Sequence, residues 1–443
     1  MKKISVFILL LVSVSSLKAQ NKKWTLRECV TYALENNISV KQSELDVKLS
    51  EVEKLSAIGN FVPSINANAS YATNTGANIN PVTNAFENET FSSFTTGGNV
   101  GLTLFDGLRN VRAMQRAKIS KLAAEYRLSK MQDDISLFVA NAYLQVLTNK
   151  ANLEVLKAQN EVTQQQIQRT NDLVEAGQLP RGDLLEIKAT DATEKQNIAV
   201  NENAVQISLL SLAQLLLIED YSNFDIEDEG YEIIDEGISA KNIAEILQAA
   251  KENRSEIKIA EKNVELAQKD LQLSRGSYYP SLSAFFSYST RYSDNDFLDR
   301  SFSDQLWQND GTGYGLQLSV PILNGFSTRS SVQRSKINLE NTKYQLEQAK
   351  LDLESTVYQA YTDAKGSYKS YEAAQTALES QELAYQYAKD RYDVGLTNAF
   401  DFSQSKARYD NAKIEVNRAK YDYIFKLKVL ELYFGIPATE LKF

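Results

Sequence analysis

The chain has 443 residues, a formal net charge of −9, one cysteine and no histidine. Its acidic balance argues against binding nucleic acid or anionic lipid through bulk charge. The absence of histidine removes the commonest general base and metal ligand, and a single cysteine argues against a structural zinc site. Because no phosphate loop or nucleophile motif occurs either, no catalytic residue, metal site or cofactor is predicted.

Residues 1–19 are typical of a secretory signal peptide. Two lysines precede an apolar run, and Ala19 precedes Gln20, the predicted first residue of the mature chain. Loss of the three lysines in this segment takes the formal charge from −9 to −12. The chain is therefore predicted to be exported. Because no later segment approaches about 18 consecutive apolar residues, any membrane span has to consist of β-strands.

The mature chain begins with two predicted helices. Thr25 is the expected N-cap of a helix that ends near Asn36, and Cys29 lies on its apolar face as a core residue. A second helix is predicted from about Ser39 to Ile58.

Four β-strands are predicted where apolar residues alternate with small polar residues. They cover about 63–73 and 97–105 in the first half and about 280–290 and 313–323 in the second. The alternating residues are Ile65, Ala67, Ala69, Tyr71, Val100, Leu102 and Leu104, and then Leu282, Ala284, Phe286, Tyr288, Tyr314, Leu316, Leu318, Val320 and Ile322. Strands of about 9 to 10 residues can cross a bilayer, but a soluble sandwich has the same alternation.

Four strands in one chain cannot close into a barrel. An open sheet edge inside lipid would leave backbone groups unpaired at a cost of several kcal/mol each. If the strands span a membrane, several chains must therefore share one barrel, and three chains would supply 12 strands.

The segments 74–96 and 290–312 are expected to be surface loops. Six aromatic residues in or beside these loops fit either an interfacial belt or the core of the loops. They are Tyr71, Phe91, Phe94, Tyr288, Tyr292 and Trp307.

The longest predicted helix covers Leu108 to Glu175, 68 residues without proline or glycine between Gly107 and Gly177. At about 1.5 Å per residue it is roughly 100 Å long. Adding 218 to each position aligns this segment with the second half, so that Gly177 corresponds to Gly395, and an offset of 217 aligns the segments before it. The chain is thus predicted to be a tandem duplication of one unit.

The predicted repeats cover residues 20–218 and 240–443. The linker between them, 219–239, contains an acidic run from Asp225 to Glu229 that is interpreted as solvated. Along the long helices, apolar residues 3 or 4 apart are typical of coiled-coil packing. The element lengths predict that each repeat supplies one long and one broken helix to the wall of a tube, with the strands at one end and a glycine turn at the other.

The signal peptide, the duplication, the paired strands and the glycine-marked turns together resemble the TolC-like outer membrane efflux proteins. Residues 26–37 (LRECVTYALENN) are similar to that family's opening helix, and residues 320–326 (VPILNGF) to its exit from strand to helix. Residues 392–397 (YDVGLT) are similar to its periplasmic hairpin tip. The resemblance extends over essentially the whole mature chain.

This resemblance implies a mainly α fold with a β-barrel part. Long helical hairpins would form a trimeric α-barrel tunnel through the periplasm, and four strands per chain would contribute to a shared 12-stranded barrel in the outer membrane. The implied function is a passive exit duct of a tripartite efflux or type I secretion system. The implied partners are two further copies of the chain, a periplasmic adaptor, an inner-membrane transporter of RND or ABC type, and outer membrane lipid.

The resemblance also implies a gate at the inner end of the tunnel, formed by Asp183, Asp401, Gln404 and Tyr392. Gln404 stands where a second aspartate is often found, and Thr397 where an arginine can bridge to the first unit, which puts ion pairing within the gate in question. Asp401 equally fits the first turn of a helix capped by Asn398, where a carboxylate interacts favourably with the helix dipole.

Adaptor docking is implied at the two hairpin tips. The implied docking residues are Gly177, Leu179, Val394, Gly395, Leu396 and Thr397. The two glycines are expected at positive φ, where each ends a helix. Leu179, Val394 and Leu396 are expected to be exposed.

Two other classes of function remain as alternatives. A periplasmic adaptor also has long helical hairpins, but it normally has one hairpin inserted in a β-rich body, whereas this chain has two predicted hairpins and four strands. An enzyme is the third class, for which no constellation of residues is found. The cargo and the class of pump are not indicated by any motif.

Overall fold

The computed structural model of the chain describes residues 23–79, 85–235, 237, 241–296 and 298–436. The predicted signal peptide, the predicted start at Gln20 and the prolines at 81 and 437 lie outside these residues. Within them the chain is mainly helical with one four-stranded sheet, which confirms the predicted fold class. None of the described helices is both long and apolar enough to cross a membrane.

The two halves of the chain contain matching helices. The first half has β1 (Lys23–Trp24), α1 (Leu26–Asn36), α2 (Ile38–Gly59), β2 (Ser64–Ile79), β3 (Phe86–Phe105), α3 (Arg109–Glu175) and α4 (Arg181–Leu216). The second has β4 (Asp225–Ile226), α5 (Ile243–Asn253), α6 (Ser255–Gly276), β5 (Ser281–Ser293), α7 (Phe302–Gln308), β6 (Gly311–Ser319), α8 (Ser327–Asp393) and α9 (Ala399–Phe434). Helices α1 and α5 have 11 residues each, α2 and α6 have 22, α3 and α8 have 67, and α4 and α9 have 36. Equal lengths in the same order are what a duplicated unit would give.

Local sequence signals determine where these helices begin. The Thr25 hydroxyl accepts a hydrogen bond from the Glu28 N–H at 3.2 Å, and the Glu28 carboxylate accepts one from the Thr25 N–H at 3.1 Å, so a capping box starts α1. Each 67-residue helix follows two residues at positive φ. These are Gly107 and Leu108 before α3, and Gly325 and Phe326 before α8. The chain therefore enters both long helices through the same kind of turn.

The four longer strands form an antiparallel sheet in the order β2-β3-β5-β6. The predicted alternation is in register across it, because Ile65 pairs with Val100, Val100 with Phe286, and Phe286 with Tyr314. Paired residues of neighbouring strands lie on the same face of a sheet. These apolar residues thus lie on one face of the sheet, whereas Phe285 lies on the other.

The strand ends differ from the predicted positions. β2 continues to Ile79 and β3 begins at Phe86, so most of the predicted loop 74–96 is strand, joined by bonds such as that between the Thr75 and Thr90 hydroxyls at 2.9 Å. Threonine and asparagine on both faces erase the alternation there, which is why the sequence pattern missed it. β6 ends at Ser319, two residues before Pro321, which has no N–H to donate to a sheet.

The second predicted loop, 290–312, contains a short helix that the sequence analysis did not predict. The ring of Phe302 in α7 lies 5.6 Å from that of Phe94 and 4.9 Å from that of Tyr292. These two aromatic residues therefore pack against the short helix and are partly buried. By contrast, Trp307 and Tyr71 are exposed.

The described residues divide into two units, each discontinuous in sequence. The first consists of the described residues of Met1–Glu44, Arg127–Ile257 and Ala349–Phe443, and the second of Leu45–Tyr126 and Lys258–Gln348. The second unit contains the four-stranded sheet. The first contains the main hydrophobic clusters, in which Tyr143, Leu147 and Leu212 are almost completely buried.

Part of the predicted linker is packed inside the first unit. Residues 225–226 form β4, which pairs in parallel with β1, and Ile226 is 1% exposed. The Tyr143 hydroxyl lies 2.5 Å from the Glu227 carbonyl oxygen and 3.1 Å from that of Trp24, while Lys150 forms an ion pair with Asp225. The interpretation of the whole acidic run as solvated is therefore wrong at its first two residues, because α3 supplies partners that the local sequence does not reveal.

Removal of the Tyr143 hydroxyl tests how much this linker contact stabilises the unit. Tyr143→Phe should lower the free energy of unfolding by about 1–2 kcal/mol, because a buried hydroxyl and its carbonyl partners lose their hydrogen bonds. Tyr221→Phe, at an exposed tyrosine, is the matched control and should stay within about 0.5 kcal/mol of the wild type. Thermal unfolding followed by circular dichroism compares the two; equal midpoints would show that the linker contact contributes nothing.

Candidate functional site at the hairpin tips

The turns from α3 to α4 and from α8 to α9 have the same backbone geometry. Gly177 has φ 72° and Gly395 has φ 76°, as predicted. The Gln178 N–H donates to the Leu173 carbonyl at 2.9 Å, and the Leu396 N–H donates to the Arg391 carbonyl at 2.8 Å. These bonds satisfy the last carbonyl groups of each long helix in a Schellman arrangement. Both tips are therefore defined turns built on glycine.

The two tips differ in the side chains that they present. Val394 and Leu396 are 69% and 71% exposed, and the neighbouring Phe400 is also exposed. Leu179 in the first tip is only partly exposed. The prediction that it would be as exposed as the other two residues is therefore wrong. Its N–H folds back to the Leu173 carbonyl at 3.4 Å, which draws the residue towards the helix end. The exposed apolar surface belongs to the second tip.

Tyr392 lies inside the protein and connects the two hairpins. It is 4% exposed, and its hydroxyl is 3.0 Å from that of Thr170 on α3. Its ring stacks on Phe402 with centroids 5.0 Å apart, beside the buried Ile187. This residue of the second hairpin is therefore fixed against α3 and α4 of the first by one hydrogen bond and an apolar cluster.

An ion pair that the sequence analysis missed lies next to this cluster. The Arg169 guanidinium of α3 is 2.8 Å from the carboxylate of Asp393, the last residue of α8. This ion pair joins the first hairpin to the end of α8, close to Thr397, the position where the resemblance implies an arginine. No local pattern marks Arg169, because its partner is 224 residues away.

The predicted gate carboxylates lie in the first turns of α4 and α9. The Asn398 side chain accepts the Asp401 N–H at 2.8 Å, and the Thr397 hydroxyl donates to the Asp401 carboxylate at 3.2 Å, which confirms the capping interpretation of this residue. Asp183 lies in the first turn after Pro180. Within the part of the chain that the structure describes, no hydrogen bond or ion pair joins Asp183 to Asp401. Gln404 is exposed, one turn beyond Asp401.

Further from the tips, a buried ionic cluster joins the hairpins. The Lys406 ammonium of α9 lies 2.7 Å from the Glu194 carboxylate of α4 and 3.1 Å from that of Asp410. Burial raises the pKa of Asp410 to about 6, although the adjacent Lys406 charge opposes the shift. Sequence reasoning did not identify these residues, since a lysine four positions before an aspartate is common on exposed helices.

A cavity of about 400 Å³ lies beside this cluster. Both hairpins contribute to its walls, including Glu186 and Glu194 from α4 and Phe400, Gln404 and Asp410 from α9. The predicted gate residue Gln404 and the missed residue Asp410 therefore line one space. The walls are mixed, with three carboxylates and several apolar side chains.

Comparison with known protein families gives one match over most of the chain. The sequence profile of the family described as outer membrane efflux protein matches residues 30–216 and 246–435. These two segments contain both hairpins and all four strands of the sheet.

Individual relatives are distant in sequence. The chain is 20% identical over 318 residues to the alkaline protease secretion protein AprF of Pseudomonas aeruginosa, which covers 71% of this chain and 64% of that protein. It is 22% identical over 313 residues to the outer membrane protein TolC of Vibrio cholerae, covering 70% of this chain and 69% of the relative. The chain thus spans somewhat less than two thirds of the length of AprF.

The fold is also that of a solved channel. The crystal structure of the Campylobacter jejuni outer membrane channel CmeC superimposes with a TM-score of 0.80 over 94% of this chain and 86% of that one. Sequence identity between the two is 17%. The two proteins therefore share a fold although their sequences are only distantly similar.

Proposed function

Because the chain belongs to the outer membrane efflux protein family, we propose that it is the exit duct of a tripartite efflux or type I secretion system in the outer membrane. In this role it passively conducts substrates that an inner-membrane transporter of RND or ABC type delivers through a periplasmic adaptor. The observation that supports this best is the duplicated architecture. Each 67-residue helix begins shortly after a strand of the sheet and ends at a glycine turn.

Assembly from several copies is supported by two unpartnered features of the described chain. The sheet ends at β2 on one side and at β6 on the other. Helix α2, which leads into β2, has exposed apolar residues along its length: Ile38, Leu45, Leu49, Val52 and Leu55. Helix α8, which follows β6, has exposed apolar residues seven positions apart: Ile337, Tyr344, Leu351 and Tyr358. A spacing of seven is typical of a coiled-coil seam.

These features fit a head-to-tail ring. We infer that β2 and α2 of one copy face β6 and α8 of the next, so that the backbone groups of each edge strand and the apolar stripe of each helix find partners together. A contact between two different surfaces leaves one of each unsatisfied until the ring closes. Three copies, the homotrimer implied by the family resemblance, would close it with 12 strands.

Charges placed in the α8 stripe test this assembly. Tyr344→Glu combined with Leu351→Glu should convert most of the detergent-solubilised trimer to monomer, because six carboxylates, two at each of the three interfaces, would face apolar side chains. Tyr387→Glu, at an exposed tyrosine of the same helix outside the stripe, is the control and should leave the trimer intact. Native mass spectrometry measures the species. A monomeric wild-type protein, or a trimer that tolerates both charges, would contradict the proposed ring.

Adaptor docking is proposed at the tips, through Gly177, Leu179, Val394, Gly395, Leu396 and Thr397. The exposed Val394 and Leu396 support this role, since neighbouring exposed apolar side chains on a rigid turn are typical of a protein contact surface. The second tip is therefore proposed to supply most of the apolar contact, and the first tip mainly the shape of its turn.

Substitution of Leu396 separates docking from assembly. Cells producing Leu396→Glu in place of the native chain should become as sensitive to exported toxic compounds as cells without the protein, since a buried, unpaired carboxylate costs binding free energy. Trimer mass and membrane insertion should not change. The control is Leu383→Glu, at an exposed leucine on α8 away from the tip, which should retain tolerance. Full tolerance in Leu396→Glu cells would argue against docking at this tip.

The gate is proposed to comprise Asp183, Asp401, Gln404 and Tyr392. Asp183 and Asp401 occupy the first turns after the two tips, so three copies would place up to six carboxylates near the inner end of the tunnel. Tyr392 contributes differently, because its hydrogen bond to Thr170 connects the two hairpins of one chain. The Arg169–Asp393 ion pair adds a charged link beside it, so closure should be partly sensitive to salt.

Single-channel recording in planar bilayers tests the carboxylates. The closed channel should have low conductance, select cations and be blocked by multivalent cations from the periplasmic side, because like charges around a narrow opening concentrate cations. Asp401→Ala should weaken the block, and addition of Asp183→Ala should weaken it further. Asp422→Ala, at an exposed aspartate elsewhere on α9, is the control. An anion-selective pore, or a block unaffected by both changes, would remove the two aspartates from the gate.

A further inference from the structure

We propose that Lys406, Glu194 and Asp410 form a proton-sensitive latch between the two helical hairpins of each chain. The latch deepens the proposed function, on which its role in regulating conduction rests. The ion pair between the hairpins is defined by the distances among these three residues and does not depend on the proposed function.

The Lys406 ammonium links the two hairpins. Its side chain is 5% exposed and contacts Glu194 of α4 at 2.7 Å and Asp410 of its own helix at 3.1 Å. Glu194 is in turn fixed by α3, because it accepts hydrogen bonds from the Thr163 hydroxyl at 2.9 Å and the Asn160 amide at 3.0 Å. Three helices are therefore joined through one lysine, and separation of the hairpins has to break its bond to Glu194.

The charges of this cluster do not balance when all three groups are ionised. Two carboxylates share one ammonium in a site where the side chains of Glu194 and Asp410 are 13% and 12% exposed. An uncompensated charge in such a site is costly. Protonation of one carboxylate removes the excess negative charge and leaves the ammonium paired with the other carboxylate.

Asp410 is the carboxyl group suited to take that proton. Burial raises its pKa to about 6; Lys406 and Lys413 on its own helix oppose the shift, and the Glu194 charge on α4 adds to it. The fourth neighbour is Tyr385 of α8, whose own pKa is raised, mainly by burial and then by the Asp410 charge. The proton has a route to this group, because Asp410 lines the cavity of about 400 Å³ between α4 and α9.

The direction of the pH effect follows from where Asp410 is protonated. In the joined hairpins its pKa is about 6, and once the hairpins part and water reaches it, its pKa returns towards the ordinary 3.8. The joined state therefore binds the proton more tightly than the parted state. Protonation of Asp410 stabilises the joined state fully below the ordinary pKa of 3.8, and this stabilisation is lost as the pH rises through about 6. Between about pH 7.5 and about pH 5, the ratio of joined to parted hairpins should rise about tenfold per chain.

The lysine and the aspartate of the latch occur in the second hairpin and have no equivalent pair in the first. Lys406 corresponds to Lys188 at the duplication offset of 218, and Lys188 is exposed on α4. The residue that corresponds to Asp410 is Ala192. A cluster absent from the duplicated copy is not required by the shared helical packing, which supports a separate role for it.

Distance measurement between the hairpins tests the latch without any need for conduction. Spin labels at Lys188→Cys and Arg408→Cys, both at exposed positions, report the spacing of α4 and α9 by pulsed electron resonance, with labelled chains diluted into unlabelled ones so that distances arise within one chain. Cys29, which is fully buried, stays unlabelled. The expected result is a narrow, short distance distribution at about pH 5 and a larger long-distance fraction at about pH 7.5.

Neutralising the titrating group should abolish this difference. Asp410→Asn should give the narrow distribution at both pH values, because the cluster is then neutral throughout. Asp410→Glu should restore the pH dependence, and Asp422→Asn, at an exposed aspartate on the same helix, should behave as the wild type. Lys406→Gln should favour the parted state at both pH values by leaving Glu194 unpaired.

Two outcomes would overturn the latch, namely a wild-type distribution that does not change with pH and an Asp410→Asn variant that keeps the wild-type response. The same variants in planar bilayers then test the link to conduction. A latch that responds to pH in a protein that forms no channel would disprove the proposed function and leave the latch standing. A conducting protein whose hairpin distances do not change with pH would disprove the latch and leave the proposed function standing.

Discussion

Each of the two uninterrupted 67-residue helices, α3 and α8, has to be covered by other elements along its length, and the rest of the structure depends on this constraint. Helices of this length are held by tertiary contacts along their faces more than by intrinsic propensity. In α3 the contacts change character along the helix. Around Tyr143 and Leu147 the buried side chains are apolar, and α1, α4 and α9 cover them. Nearer the tip the buried side chains are polar: Gln159, Asn160, Thr163, Gln166 and Thr170.

This change of character divides the helix into two mechanical regions. Apolar burial is non-directional, and breaking it exposes surface at about 25 cal/mol per Å². A polar seam loses little net free energy when water replaces its hydrogen bonds, since each bond contributes only about 1 kcal/mol. Near the tips, separation of the hairpins therefore has to break the small apolar cluster around Tyr392 and Phe402 and a few polar contacts, while the larger apolar cluster keeps them joined further along. Tyr392, Arg169 and Lys406 all lie in this region near the tips, which is where the proposed gate would open.

The sequence was sufficient for features that depend on local chemistry. Glycine at positive φ gave both tips, and Thr25 with Glu28 gave the start of α1, because each signal involves residues within one turn. Contacts between distant residues were not predictable. Arg169 and Asp393 are 224 positions apart and Lys406 and Glu194 are 212 apart, and their side chains look like ordinary surface charges until the fold brings them together. Leu179 was missed for a related reason, since the path of its turn determines its exposure.

The two hairpins have helices of the same lengths, as duplication of one unit would give, but their side chains differ. Both have helices of 67 and 36 residues and a glycine turn, so either one fits the same place in a helical wall. The second hairpin differs in having exposed apolar residues at its tip and a lysine buried with two carboxylates behind it. If the second tip docks a partner as proposed, that partner could act directly on the ionic contact of Lys406, because both lie on one hairpin. Under the proposed function, the second hairpin is therefore the one expected to move, and the first is the frame against which it would close.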